Sequence, residues 1–163
     1  MTATNTTATA TTNSKTQDAV AMLKSDHDDV HAMFEEYEKL GDRANVSKNK
    51  LVAKICQALK IHTRIEEEIF YPAVRAASKD TEDMVDEAVV EHASAKDLIA
   101  QLEEMDPEDD LYDAKVKVLG ELIDHHVEEE EDEMFPKARK LKLDLNALGE
   151  EMAMRRDELA AAA

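Results

Sequence analysis

Residues 62–72 read HTRIEEEIFYP, and residues 126–136 read HVEEEEDEMFP. Each stretch begins with a histidine that is followed four residues later by a glutamate, which is Glu66 in the first stretch and Glu130 in the second. Residues four apart lie one above the other on a helix. Each stretch therefore predicts a helix that directs an imidazole and a carboxylate toward the same inner volume.

Apolar residues spaced alternately three and four apart extend this pattern along the chain. Four such stripes run over residues 20–37, 52–69, 85–102 and 116–134. This spacing is typical of amphipathic helices that bury one face. In the last stripe Met134 stands one position out of register. The stripes predict an all-α protein, an antiparallel up-down four-helix bundle with short connections.

The four predicted helices form an internal repeat. Aligning His62 with His126 superposes the apolar residues of the second and fourth stripes, and aligning His27 with His92 does the same for the first and third. The repeat predicts two helical hairpins of similar design that face each other.

The ends of the chain differ in composition from its middle. Residues 1–16 are rich in Thr and Ala and have no apolar periodicity, which predicts a disordered tail. Residues 17–143 hold the predicted bundle. Asp144 predicts the cap of a short extra helix in a C-terminal extension, residues 144–163.

The start of the fourth predicted helix raises a question of height. Asp106 followed by Pro107 predicts its N-terminus, because proline is favoured at the first helical position. His126 then lies about 30 Å from that start, whereas His92 lies only about 20 Å from the end of its own helix near Met105. Either the fourth helix begins later, or its first turns extend beyond the bundle.

Composition and charge exclude several classes of protein. Three glycines and three prolines are too few turn formers for a β-sandwich or a β-barrel. The formal net charge of −18 repels phosphate, so we expect neither nucleic acid nor an anionic membrane surface as a partner. The single cysteine, Cys56, excludes an internal disulfide and a multi-cysteine metal site. The sequence has neither an apolar run long enough to span a membrane nor the features of a signal peptide, so we expect a cytoplasmic protein.

Six polar residues interrupt the apolar stripes, where a charged side chain is costly unless it is paired or bound to a metal. They are His27, His62, Glu66, His92, His126 and Glu130. A single histidine in a core is most simply a hydrogen-bonded core residue, but one histidine in every stripe, with a glutamate in two of them, is a repeated pattern. Four imidazoles and two carboxylates suit a pair of iron or manganese ions and exceed what one tetrahedral zinc needs.

Four separated motifs resemble one known family. DHDDVHAMF at 26–34, HTRIEEEIFYP at 62–72, EH at 91–92 and HVEEEEDEMFP at 126–136 are similar in order and spacing to the hemerythrin-like, or HHE cation-binding, family. The resemblance implies a four-helix bundle that holds two iron ions, bridged by carboxylates and oxygen, with the six residues above as metal ligands. The C-terminal segment is similar to that of a stand-alone bacterial subgroup.

The chain also departs from the oxygen-carrying hemerythrins. Lys96 stands where the carriers have a second imidazole on the third helix, so one coordination position is open or filled differently. His31, one turn after His27, is a candidate for that position, and His125 is expected on a flank. Three tyrosines are further candidates for a phenol in the pocket: Tyr37, Tyr71 and Tyr112.

These observations lead to one main hypothesis and two alternatives. The main hypothesis is a non-haem di-iron protein that binds or reacts with O2, peroxide or nitric oxide. Peroxide disproportionation is the favoured reaction, because an open position beside a redox metal favours turnover. The first alternative is binding, sensing or storage of oxygen, nitric oxide or iron without turnover. The second is a metal-free acidic helical interaction module.

Overall fold

The structure is a computed structural model that describes residues 17–163, and the predicted tail, residues 1–16, lies outside them. The described residues contain helices and no strand. The helices are α1 (Ala19–Glu38), α2 (Asn45–Ile65), α3 (Tyr71–Ala77), α4 (Glu82–Glu103), α5 (Tyr112–Glu129), α6 (Phe135–Lys140) and α7 (Leu145–Ala161). None of these helices is long and apolar enough to span a membrane.

Four rods form a bundle, and a fifth helix packs on its outside. The rods are α1, α2 with α3, α4, and α5 with α6. α1 packs against α2 and α5, and α4 packs against α2 and α5. The predicted all-α four-helix bundle with an extra C-terminal helix is confirmed.

Two of the rods contain a π-helical turn, and each turn begins at the glutamate of a repeated histidine–glutamate pair. Glu66–Phe70 joins α2 to α3, and Glu130–Met134 joins α5 to α6. The N–H of Tyr71 donates to the carbonyl of Glu66, five residues back. A proline follows each π turn and lacks an N–H, so the ordinary i→i−4 ladder is interrupted there. Single π turns of this kind are frequent at functional sites.

The core consists of two apolar clusters with a polar layer between them. One cluster includes Leu23 and Ile65, and the other includes Val30 and Leu59. His27 follows Leu23 and precedes Val30 on the inner stripe of α1. His62, His92 and His126 occupy the corresponding height on their own rods, between residues of the two clusters.

α5 begins later than Asp106–Pro107 predicts. Residues 106–111 form turns, and the helix starts at Tyr112 after Leu111, whose φ of 69° is left-handed. The prediction of a start at Asp106 is therefore wrong. His126 lies about 21 Å from the true start, which matches the height of His92.

α7 crosses the outside of the bundle and packs against α1 and α2. The Asp144 side chain accepts a hydrogen bond from the Ala147 N–H, as its predicted capping role requires. Gly149 allows a close approach to the start of α1, because a Cβ there would lie 2.3 Å from the carbonyl oxygen of Gln17. With 17 residues, α7 is longer than the short helix expected.

Candidate metal centre

The four rods bring all six predicted site residues into the polar layer. Each is at least nine-tenths buried, and His62 is the most exposed of them at 6%. Their ligand atoms fall into two groups, and within each group the atoms lie within 4.8 Å of one another. The first group contains His27 and His62, the second contains His92 and His126, and both contain Glu66 and Glu130.

In the first group, each imidazole faces one of the shared carboxylates. His27 Nε2 lies 3.2 Å from Glu130 Oε2. His62 Nε2 lies 2.9 Å from Glu66 Oε1. None of these four atoms has a hydrogen-bond partner among the described residues. The atoms therefore converge on one small volume without satisfying one another.

In the second group, the other oxygens of the same carboxylates face the second pair of imidazoles. His92 Nε2 lies 3.0 Å from Glu66 Oε2, and His126 Nε2 lies 3.3 Å from Glu130 Oε1. The Nε2 atoms of His92 and His126 are only 3.0 Å apart. Each glutamate thus extends one oxygen toward each group, which is the arrangement of a bridging ligand.

Carboxylates outside the layer orient the imidazoles from behind. The Nδ1–H of His27 donates to Glu131, that of His62 to Asp26, and that of His126 to Glu91. His92 Nδ1 lies 3.4 Å from Glu67 Oε1. A carboxylate on Nδ1 fixes the tautomer and leaves the Nε2 lone pair for a metal.

This donor set fits a pair of bound cations, because the side chains alone leave several of its nitrogen and oxygen atoms without partners in the described part of the chain. With the proton on Nδ1, His92 Nε2 and His126 Nε2 present lone pairs to each other at 3.0 Å. A buried, unpaired carboxylate oxygen costs free energy that a bound cation offsets. The nitrogen and oxygen donors suit iron or manganese.

Without a metal, protons compensate the buried carboxylates. Burial lowers the pKa of His62, but Glu66 and Asp26 outweigh that effect and raise it to about 10. Burial likewise lowers the pKa of His126, while Glu130 and Glu91 raise it to about 11. Because a metal ligand must be deprotonated, binding of cations here displaces these protons.

Tyr71 is the predicted candidate phenol that reaches the centre. Its hydroxyl lies 3.2 Å from Glu66 Oε2, 3.2 Å from His92 Nε2 and within hydrogen-bond distance of Glu130 Oε1. The π turn after Glu66 directs Tyr71 to the same side as that glutamate. The second group therefore contains a phenol oxygen in addition to its two imidazoles and two carboxylates.

Phe135 holds the equivalent position in the first group. Phe135 follows Glu130 by five residues, as Tyr71 follows Glu66. Its ring stacks on His27 at a centroid distance of 5.7 Å, and the Tyr71 ring stacks on His92 at 5.4 Å. The two groups are thus related by the sequence repeat and differ in one hydroxyl.

An enclosed space of about 10 Å³ adjoins all four histidines. Its remaining lining is mostly apolar: Val30, Leu59, Ile123, Val127, with Asp26 and Thr63. Space of this size holds roughly one water-sized molecule. The centre can accept a ligand of only a few atoms without rearrangement.

The other residues considered from the sequence lie away from the centre. His31 is 58% exposed and contacts Asp124 and Glu35, so it does not fill the position that Lys96 leaves. His125 lies on a flank at 61% exposure, as expected. Lys96 pairs with Glu67, the carboxylate behind His92, and its amino group is not in either group of ligand atoms. Tyr37 and Tyr112 belong to the apolar cluster that includes Val30, and neither is among the ligand groups of the centre.

Cys56 behaves as a core residue. Its side chain is buried in the cluster that contains Val52 and Ile55. Burial raises the pKa of the thiol to about 11, so the thiolate required of a nucleophile is scarce at neutral pH.

Several supporting residues were missed from the sequence. Glu67 and Glu131 do not lie on the apolar stripes, but they stand behind His92 and His27. Arg156 of α7 donates to both oxygens of Asp26, at 2.7 and 2.8 Å, and so holds the carboxylate that orients His62. The register slip at Met134 and the prolines were the only sequence signals of the π turns.

Comparisons with known proteins agree with this geometry. The family model described as "Hemerythrin HHE cation binding domain" matches residues 18–138. A crystal structure of a hemerythrin HHE cation-binding domain-containing protein from Mycobacterium kansasii superposes with a TM-score of 0.76 at 25% identity, covering 90% of this chain and 89% of that one. A protein of Nostoc sp. described as a DNA nickase is 27% identical over 120 residues, which is 72% of this chain. The chain spans about a third, 32%, of that protein's length.

Proposed function

This chain belongs to the hemerythrin HHE cation-binding family, and on that premise we propose that its centre holds two iron ions, one in each group of ligands. The observation that carries the proposal is the sharing of Glu66 and Glu130, each of which extends one oxygen to each group. His27 and His62 complete the first position. His92 and His126, with the Tyr71 oxygen beside them, complete the second.

We further propose that the protein reacts with small oxygen-derived ligands and that its favoured reaction is the disproportionation of hydrogen peroxide. Bound iron supplies one-electron redox chemistry and an exchangeable coordination position. The overall reaction converts two molecules of peroxide into two of water and one of O2, so it requires no other oxidant or reductant.

The residues around the centre favour a reaction of a small ligand that involves proton transfer. The space beside the histidines admits only a few atoms, which suits peroxide, O2 or nitric oxide. The apolar walls of this space, such as Leu59 and Ile123, keep bulk water from that side of the centre. The Tyr71 hydroxyl holds a proton within hydrogen-bond distance of both bridging carboxylates. A proton donor at that place favours turnover over a shielded, reversible binding site.

DNA cleavage is not part of the proposal. The matching protein of Nostoc extends well beyond the part that this chain resembles. The formal net charge of −18 opposes association with phosphate.

Oxygen evolution from hydrogen peroxide tests the proposal. The iron-loaded protein should release O2 faster than the same concentration of free iron, and His62→Ala and Glu130→Ala should abolish that excess. If the loaded wild type evolves no more O2 than free iron, the enzymatic part is wrong. Reversible uptake of O2 without turnover would instead favour a binding or sensing protein. A chain that takes up no iron would favour the acidic interaction module.

A further inference from the structure

A cleft of about 340 Å³ lies on the surface between α4 and the rod of α5 and α6. Carboxylates dominate its walls, together with one lysine, Lys137. The carboxylates are Asp80, Asp83, Glu87, Glu91, Glu129 and Glu133, and we refer to these walls as the acidic cleft. Its floor includes His126 and Glu130, which are only 4% and 2% exposed. The acidic cleft therefore connects solvent with the second group of ligands.

Several charges of the acidic cleft repel one another along their own helices. Asp83, Glu87 and Glu91 follow one another at intervals of four along α4, and Glu129 and Glu133 repeat the interval on the opposite rod. Like charges at this spacing disfavour a helix. Glu87 and Glu133 form no ion pair among the described residues. A cation in the cleft would relieve the repulsion.

Groups that can pass a cation inward lie along the acidic cleft. Glu91 and Glu129 line it, and together with the exposed His125 beside them they bring ligand atoms within 4.8 Å of one another, a third group able to hold a metal ion. Glu91 also accepts the hydrogen bond of His126 Nδ1 at 3.0 Å. Beyond it, Glu130 extends Oε1 to within 3.3 Å of His126 Nε2, and its other oxygen, Oε2, faces His27 with no hydrogen-bond partner among residues 17–163.

We propose that the acidic cleft is the route by which divalent cations reach the buried centre, with Glu91, His125 and Glu129 as a transient binding position on the way. The inference rests on the proposed metal function of the centre. A cleft lined by charges of one sign focuses the electric field and raises the local concentration of the opposite ion, which increases association rates by about 10 to 1000 fold. The other space at the centre is small, enclosed and mostly apolar, so it offers a hydrated cation no comparable passage.

The rate of metal loading tests this route. Metal-free full-length protein is mixed with Co²⁺ at low ionic strength in a stopped-flow instrument, and the visible absorption of bound Co²⁺ is followed. The cleft variant is Glu87→Gln with Glu133→Gln. The matched control is Glu121→Gln with Glu150→Gln, which removes the same charge from exposed positions outside the cleft.

The cleft variant should load about three- to tenfold more slowly than wild type, while the control stays within about twofold of it. Added salt should slow the wild type toward the rate of the cleft variant. All three proteins should reach the same final absorbance, because no ligand of the centre is changed. Equal rates in the cleft and control variants, at full final absorbance, would overturn the route alone. A wild type that binds no Co²⁺ would overturn the proposed metal function and the route with it.

Discussion

The first group of ligands takes its imidazoles from α1 and α2, and the second takes them from α4 and α5. The two groups are built from the same parts of a repeated sequence. Each has two imidazoles, and both use Glu66 and Glu130. In the first group the aromatic neighbour is Phe135, stacked on His27, and in the second it is Tyr71, stacked on His92. One oxygen atom thus distinguishes them, and it places a proton donor in the second group only.

The surroundings of the two groups also differ. Behind the first group, Arg156 of α7 fixes Asp26, which orients His62. Behind the second group, Glu91 orients His126 and also forms part of the acidic cleft. The first group is therefore braced by an added helix, while the second is connected to solvent. A repeated scaffold thus provides one anchored and one accessible group of ligands.

The largest expected effect is on the number of metals bound, and it distinguishes a glutamate shared by both groups from a histidine that belongs to one group. Glu130→Ala should remove both metals, because the residue serves both groups, whereas His27→Ala should reduce the count from about two to about one. The measurement is metal per chain by elemental analysis after loading with Fe²⁺ and desalting. If Glu130→Ala retains two metals, the carboxylate is not shared as the structure indicates.

Removal of metal should lower thermal stability in a pH-dependent way. Metal at about 100 times its dissociation constant adds about 2.7 kcal/mol, and for a chain of this size that corresponds to roughly 5–10 °C in Tm. In the metal-free protein, protonated His62 and His126 compensate the glutamates, with pKa values raised to about 10 and about 11.

The sign of the pH effect follows from these raised values. A histidine whose pKa is raised by folding stabilises the folded state fully at pH values below its unfolded pKa of about 6.5. That contribution to the free energy of unfolding is lost as the pH rises toward 10. The metal-free Tm should therefore fall between pH 6.5 and 9, and its distance from the metal-loaded Tm should widen. Calorimetry at several pH values checks this, and a constant distance would show that the imidazoles are neutral without metal.

The brace on the first group is tested by two neighbouring arginines. Arg156→Ala frees Asp26 and should weaken metal binding in the first group about 10–100 fold, the range found when support of a ligating histidine is removed. Arg155→Ala removes an ion pair with Glu68, which touches no ligand, and should leave metal affinity unchanged. Competition with a coloured chelator gives both affinities. If the two variants change metal affinity equally, α7 stabilises the fold as a whole and does not act through Asp26. Partial recovery of affinity in Arg156→Lys would support the specific contact with Asp26.

The smallest expected effect concerns the hydroxyl that distinguishes the groups. Tyr71→Phe makes the second group a copy of the first and should keep two metals per chain. Loss of a hydrogen bond worth about 1 kcal/mol should reduce peroxide turnover roughly fivefold. Phe135→Tyr is the matched control, since it adds a phenol to the first group. If Tyr71→Phe changes neither turnover nor the optical spectrum, the asymmetry has no chemical consequence.

The helical bundle could be predicted from the sequence because the spacing of apolar residues within each helix is a local property of the chain. Stripes at helical spacing place His27, His62, His92 and His126 on inward faces at similar heights, and those heights follow from the rise per residue. The predicted start of α5 was wrong, because turns and a left-handed Leu111 replace the cap expected at Asp106. Turns of that kind depend on contacts that no periodicity reveals.

What the sequence could not predict depends on the π turns and on long-range contacts. In an ordinary α-helix Tyr71 would point away from the side of Glu66, and only the π turn directs the two together. Arg156 and Asp26 are 130 positions apart in the chain and meet only because α7 folds across α1. The assignment of the six residues as iron ligands stays a prediction.

The number of iron atoms per chain tests the central claim most directly. The protein is purified without added metal, loaded with Fe²⁺ without oxygen, desalted and analysed for all transition metals. We predict about two iron atoms per chain, one for each group around Glu66 and Glu130. Iron near zero, or a single tightly held zinc, would contradict the account.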